Sequence, residues 1–179
     1  MNVTFRRLTD QDLPLLHRWL NEPGVVRWWE GEDVSWEAVV RDYGSTSSDL
    51  TEHWIASLRH GRPVGWTQCY ATADHAGEHE IEQWWALGVH RTAAGIDYLV
   101  GDPRERGKGL GSVMIRRFAV DVVFGRHPGW TQVCASPVVA NIASSRALEK
   151  AGFEYAGTFE SEHGLCRLMV ADRAITGRR

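Results

Sequence analysis

One segment constrains the fold more than any other. Gly95-Ile96-Asp97-Tyr98-Leu99-Val100 has the composition of a strand and is broken by Gly101-Asp102-Pro103. A glycine-rich turn follows, and then a helix pattern in which Leu110, Met114, Phe118 and Val122 recur every fourth residue, joined by Val113 and Phe124. That spacing lays one apolar stripe along a helix from Leu110 to Phe124. A strand feeding such a helix must bury the stripe against a sheet, which places the chain among α/β or α+β folds.

The remaining patterns extend this scheme. Val3–Leu8 alternates as a strand, and Thr9 or Asp10 caps a helix reaching about Leu20, ended by Asn21-Glu22-Pro23-Gly24. Ser35 caps a second helix to about Tyr43. His53–Arg59 and Pro63–Tyr70 read as a strand pair around His60-Gly61-Arg62-Pro63. Ala71–Glu80 reads as a polar, mobile loop, and Ile81–Trp85 as either a strand or an ordered loop. Gln132–Ala135 is a short strand, Ile142–Ala151 a helix closed by Gly152, and Phe153–Phe159 with Leu165–Ala171 a final hairpin. With no repeat and no linker, residues 1–179 are expected to form one domain around a mixed sheet.

Composition excludes several classes. An apolar share of 43% with 24% charged residues is a globular balance, not that of a disordered chain. No apolar run approaches the roughly 18–20 residues of a membrane span, and the opening residues lack the apolar core of a signal peptide, so a cytoplasmic protein is expected. Cys69, Cys134 and Cys166 are widely spaced and read as reduced thiols. His75 and His79 have helical spacing but no third ligand, so no metal is expected. Residues 1–90 carry 14 acidic residues against 7 arginines, whereas residues 91–179 carry 9 against 13 basic ones. Opposed fields suit an enzyme that joins a cationic substrate to an anionic cofactor; a solvated acidic face is the plainer alternative. Nucleic acid is not expected, because no basic stripe with interleaved aromatics is present.

Nine tryptophans are many for this length. Trp19, Trp36, Trp54, Trp66 and Trp130 are expected to pack the core, while the doublets Trp28-Trp29 and Trp84-Trp85 suggest an aromatic-walled site. The turn Arg104-Glu105-Arg106-Gly107-Lys108-Gly109-Leu110-Gly111 sits where backbone N–H groups at a helix start attract phosphate, with Lys108 and the arginines adding charge. It is neither a Walker loop nor a dinucleotide fingerprint.

Arg106-x-x-Gly109-x-Gly111, together with the stretch from Asn141 to Phe153, resembles the GCN5-related N-acetyltransferases, a family with a mostly antiparallel sheet splayed at an acyl-CoA site. Within it, Trp28-Trp29-Glu30-Gly31-Glu32, Trp84-Trp85 and Gly95-Ile96-Asp97 are most similar to the aminoglycoside 6′-N-acetyltransferases. The resemblance implies acetyl-CoA as cosubstrate, held by Tyr98, Leu99 and Val100, by Arg106, Gly107, Lys108, Gly109, Leu110, Gly111 and Ser112, and by Asn141 and Ser144. It implies Asp97 as the catalytic residue that binds the reacting ammonium and helps remove its proton, with backbone N–H groups around Leu99 at the oxyanion. Trp29, Glu32, Glu82, Trp85, Asp97 and Ser136 would line the site for a small cationic amine, an aminoglycoside, in a monomer or homodimer.

Two positions depart from that family. Leu148 stands where the resembling enzymes usually carry a tyrosine able to protonate the leaving thiolate, and Ser136 stands where some carry an aspartate that contacts substrate. The alternatives are transfer to another amine, such as a protein N-terminus or a siderophore hydroxylysine, and a non-catalytic acyl-CoA sensor.

Overall fold

The computed structural model describes residues 1–29 and 32–177; Glu30 and Gly31, part of the Trp28-Trp29-Glu30-Gly31-Glu32 motif, lie outside the described residues. A seven-stranded sheet runs β1-β2-β3-β4-β5-β7-β6. The strands are β1 Thr4–Arg7, β2 Glu52–Ser57, β3 Pro63–Ala71, β4 Ala94–Val100, β5 Gln132–Ala135, β6 Glu154–Ser161 and β7 Gly164–Asp172. Every neighbouring pair is antiparallel except β4 with β5. That exception makes the site. β4 is paired with β3 along its whole length, but it touches β5 only through Ala94–Val133 and Gly95–Cys134. From Ile96 onward the two strands part.

The helices are α1 Leu13–Leu20, α2 Pro23–Val26, α3 Trp36–Tyr43, α4 His79–Ala86, α5 Leu110–Arg117 and α6 Ile142–Ala151. Beyond Arg117, α5 runs on as a π-helical stretch from Phe118 to Phe124. Its stripe is buried as the periodicity requires: Leu110, Met114, Phe118 and Val122 all pack inside. Phe118 joins Ile96, Trp54, Leu148 and Phe153 in the main core, and Met114 joins Leu110, Val64 and Ala56 beside it. The opposite face of the sheet is covered by α1 and α3, which enclose Trp66, Ile55 and Leu99. Caps fix the ends. The Ser35 side chain accepts from the Ala38 N–H, that of Asn141 accepts from the Ser144 N–H, and Gly152 closes α6 at φ +99°.

Two segments differ from the sequence expectation. Ile81–Trp85 is neither strand nor loop but lies within α4, which buries Ile81 and Trp84 at i and i+3 against Val89, Phe159 and Leu168. The loop before it is anchored: Thr72 sits in a short 3-10 turn and directs both its N–H and its hydroxyl to the Ala93 carbonyl. Trp36, expected in the core, is 42% exposed and meets His17 edge-on. Among the described residues no helix is long and apolar enough to cross a membrane.

Candidate active site

Alternation along β4 gives its residues opposite tasks. Ile96, Tyr98 and Val100 face α5 and α6, whereas Leu99 packs under α1. Asp97 shares the Leu99 face and looks into the gap left where β5 departs. Its Oδ2 accepts from Gln68 Nε2 at 2.7 Å, from the register partner on β3. Burial raises the Asp97 carboxyl above its ordinary value; the Gln68 hydrogen bond opposes this and Glu32 adds to it. A carboxylate held so can take a proton from an ammonium nearby. Next to it, Gly95 is required: a Cβ there would fall inside the Tyr70 ring, which covers the last paired rung.

A cleft of about 470 Å³ opens in front of Asp97. Five carboxylates line it (Glu32, Asp42, Asp49, Glu80 and Asp97), and among the described residues that do so there is no lysine or arginine. His53 adds no compensating charge at neutral pH, because burial pushes its imidazole down to about 4. Trp28, Trp29, Tyr43 and Tyr70 supply flat walls. Such a cavity attracts cations and offers aromatic faces to a ring.

Of the residues predicted to meet the acceptor, Trp29, Glu32, Asp97 and Ser136 line this cleft together. Glu82 and Trp85 do not. Glu82 is exposed and accepts from the Gly77 N–H at 3.1 Å, and Trp85 lies beneath Arg91, 4.0 Å from its guanidinium carbon. Their place is taken by Glu80, which sequence reasoning missed. Residues 80 and 82 point about 200° apart on a helix, so only the helical assignment of α4 could have separated them. The Ser136 hydroxyl donates to Glu80, and burial raises the Glu80 carboxyl. The carboxylate absent at position 136 is thus supplied from α4.

The turn before α5 has the form expected of a phosphate cradle. Gly107 and Gly109 adopt φ of +73° and +80°, and a side chain at either would meet only open space. The first-turn N–H groups of Leu110, Gly111 and Ser112 stand outside the intrahelical ladder. Exposed Lys108 adds charge. These residues fit an acyl-CoA diphosphate. Arg106 is differently employed: its Nε donates to the Val100 carbonyl at 3.0 Å, and its guanidinium is ion-paired with Glu22 at the start of α2. Asn141 caps α6, and Tyr98 Oη meets Ser144 Oγ at 2.6 Å. Leu99 and Leu110 are buried apolar side chains, so only their backbone is available to a ligand.

Comparison with known proteins agrees with this geometry. The family model for the acetyltransferase (GNAT) domain matches residues 9–161. The chain belongs to the GNAT acetyltransferases. A curated relative, aminoglycoside N(6′)-acetyltransferase type 1 of Klebsiella pneumoniae, is 30% identical over 184 residues, covering 96% of this chain and 84% of that protein. Among solved structures, aminoglycoside acetyltransferase AAC(6′)-Ib with coenzyme A and kanamycin superposes with a TM-score of 0.84 at 32% identity, over 99% of this chain and 98% of that one. The same enzyme with paromomycin and acetyl-CoA gives 0.85 at 32% identity, over 99% and 97%. This GNAT chain is an acyltransferase, and the AAC(6′)-Ib structures it resembles hold acetyl-CoA or coenzyme A. Its Leu148 is wholly buried in the main core.

Proposed function

We propose that this GNAT acetyltransferase moves the acetyl group of acetyl-CoA onto the 6′-amine of aminoglycoside antibiotics and so confers resistance. The observation that carries the reading is Asp97, set where β4 and β5 part and facing a cleft with aromatic walls, lined among the described residues by five carboxylates and by no lysine or arginine. A primary amine is mostly an ammonium ion at neutral pH, judging by the lysine reference of about 10.4. Glu32 and Glu80 hold such cations in the cleft, and Asp97 takes the proton from the one that reacts. The freed amine attacks in a ternary complex, and the edge of β4 around Leu99 offers N–H groups to the developing oxyanion. Lys108 and the α5 N-terminus hold the cosubstrate's phosphates, leaving the sulfur at the gap. An acetyl-CoA-dependent reaction and three free, buried thiols favour the cytoplasm.

Thiol release with a panel of amines tests this. Kanamycin and ribostamycin, which carry a 6′-amine, are expected to be acetylated, and paromomycin, with a hydroxyl there, to be poor. Turnover of a peptide N-terminus with none on kanamycin would overturn the reading in favour of another amine.

A further inference from the structure

Departure of coenzyme A leaves a thiolate that needs a proton. An ordinary thiol titrates near about 8.5 in water, and a gap poor in water holds back the charged form further. Leu148 is buried and apolar and cannot supply the proton. Asp97 faces the amine. Of the hydroxyls on that same side, Tyr70 lies over Gly95, Tyr43 is packed against His53 and Trp66 on the α3 side of the cleft, and Ser136 gives its proton to Glu80.

The other face of β4 carries a hydroxyl pair that the acceptor chemistry leaves unused. Tyr98 Oη and Ser144 Oγ stand 2.6 Å apart, and both residues line the cleft. The Tyr98 ring packs between the core around Phe118 and the one around Met114. Ser144 is held in the first turn of α6 by the Asn141 cap. It also lies one turn before Leu148 on the same helix face, and helical side chains lean toward the N-terminus. A hydroxyl borne at position 148 would therefore end near Ser144, the place Tyr98 reaches from the strand.

We propose that Tyr98 is the catalytic proton donor to the coenzyme A sulfur, with Ser144 the positioning residue that holds its hydroxyl. As the carbon–sulfur bond breaks, its electron pair goes to sulfur and the Tyr98 Oη–H bond delivers the proton that completes the thiol. The Ser144 hydroxyl passes a proton to the phenolate and recovers one from solvent at the cleft mouth. Asp97 gives the ammonium proton to solvent, takes a second from the nitrogen of the tetrahedral adduct and gives that to solvent in turn. With one proton drawn in through Ser144, each turnover of ammonium and acetyl-CoA to amide and thiol releases one net proton. Burial holds the Tyr98 phenol well above its ordinary value, so it keeps its proton throughout the working range, and the Ser144 hydrogen bond opposes that rise. The proposal rests on acetyl transfer in this cleft but not on which amine accepts.

Tyr98→Phe keeps the packed ring and removes only the hydroxyl. Calorimetry with coenzyme A and with desulfo-coenzyme A, which lacks the sulfur, reads the contact without turnover. At a pH where the bound sulfur is ionised, the wild type should prefer coenzyme A by roughly tenfold, the size of one hydrogen bond to a charged partner. Tyr98→Phe should bind both alike with unchanged desulfo-coenzyme A affinity, and Ser144→Ala should fall between. The ultraviolet absorbance of bound thiolate should rise at lower pH in the wild type than in Tyr98→Phe. Turnover should drop by roughly 10- to 100-fold in Tyr98→Phe with the amine KM unchanged. A Tyr98→Phe protein that keeps the wild-type preference for coenzyme A overturns the proposal alone. A wild type that binds neither compound overturns it together with the acetyl-transfer reading. Should Tyr98→Phe fail to fold, a wild type or Ser144→Ala protein with the wrong preference is still decisive.

Discussion

Arg106 separates two accounts of the loop before α5. A cation in a glycine-rich turn suggests a phosphate ligand, but here the guanidinium is spent within the protein. It bonds the Val100 carbonyl at 3.0 Å and the Gly101 carbonyl at 3.5 Å, and it pairs with Glu22, both side chains being just over one quarter exposed. Gly24 has no side chain to obstruct it; a Cβ there would meet Nη1. The arginine thereby ties α2 to the end of β4. Arg106→Ala removes one good charged hydrogen bond, one weak one and the ion pair, and leaves groups that can rehydrate only in part. With charged hydrogen bonds at about 1.5–3 kcal/mol and partly exposed pairs at up to about 1, a loss of about 2–3 kcal/mol follows. For a domain of this size that lowers Tm by about 5–10 °C. Urea unfolding of the wild type, Arg106→Ala, Glu22→Gln and the double variant should give a coupling near 1 kcal/mol, because glutamine keeps the acceptor that caps Gly24. Affinity for coenzyme A and for pantetheine should change alike. The reasoning is refuted if Arg106→Ala is as stable as the wild type and loses affinity for coenzyme A but not for pantetheine.

Glu80→Gln should raise KM about tenfold for acceptors with several ammonium groups, while a simple monoamine is little affected, as initial rates would show. His53 titrates at about 4 in the fold against 6.5 when free, so the unfolded chain binds more protons between those values. Stability should fall as pH drops from about 6.5 to about 4, and the difference between the wild type and His53→Phe in pH-dependent melting should isolate that slope. Asp97 has the opposite sign. Its raised carboxyl opposes folding where it is ionised, above the free value of 3.8, so Asp97→Asn should melt higher than the wild type at pH 7 by calorimetry.

Much of this was legible because local rules agree with tertiary ones. The stripe of Leu110, Met114, Phe118 and Val122 needs a sheet beneath it, and the Asn141 cap with Gly152 bounds α6 at the residues expected. The segment from Glu80 to Ala86 was not legible, because its doublet suits a strand as well as a helix. Only burial of Trp84 against Val89, Phe159 and Leu168 decides between them. The resemblance pointed to Glu82 and Trp85 for the site, whereas the helix turns Glu80 into the cleft and carries those two residues away from it. Long-range partners were equally hidden. Nothing near Arg106 announces Glu22, and nothing near Ser136 or Tyr98 announces Glu80 or Ser144.

Acetylation of kanamycin by the wild type and by Asp97→Asn, followed by thiol release, with coenzyme A affinity measured in parallel, tests the central claim most directly. The account predicts wild-type turnover and a loss of roughly 100- to 1000-fold in the variant, with coenzyme A affinity unchanged. An Asp97→Asn enzyme that acetylates kanamycin at the wild-type rate, or a wild type that binds coenzyme A yet leaves kanamycin untouched, would contradict it.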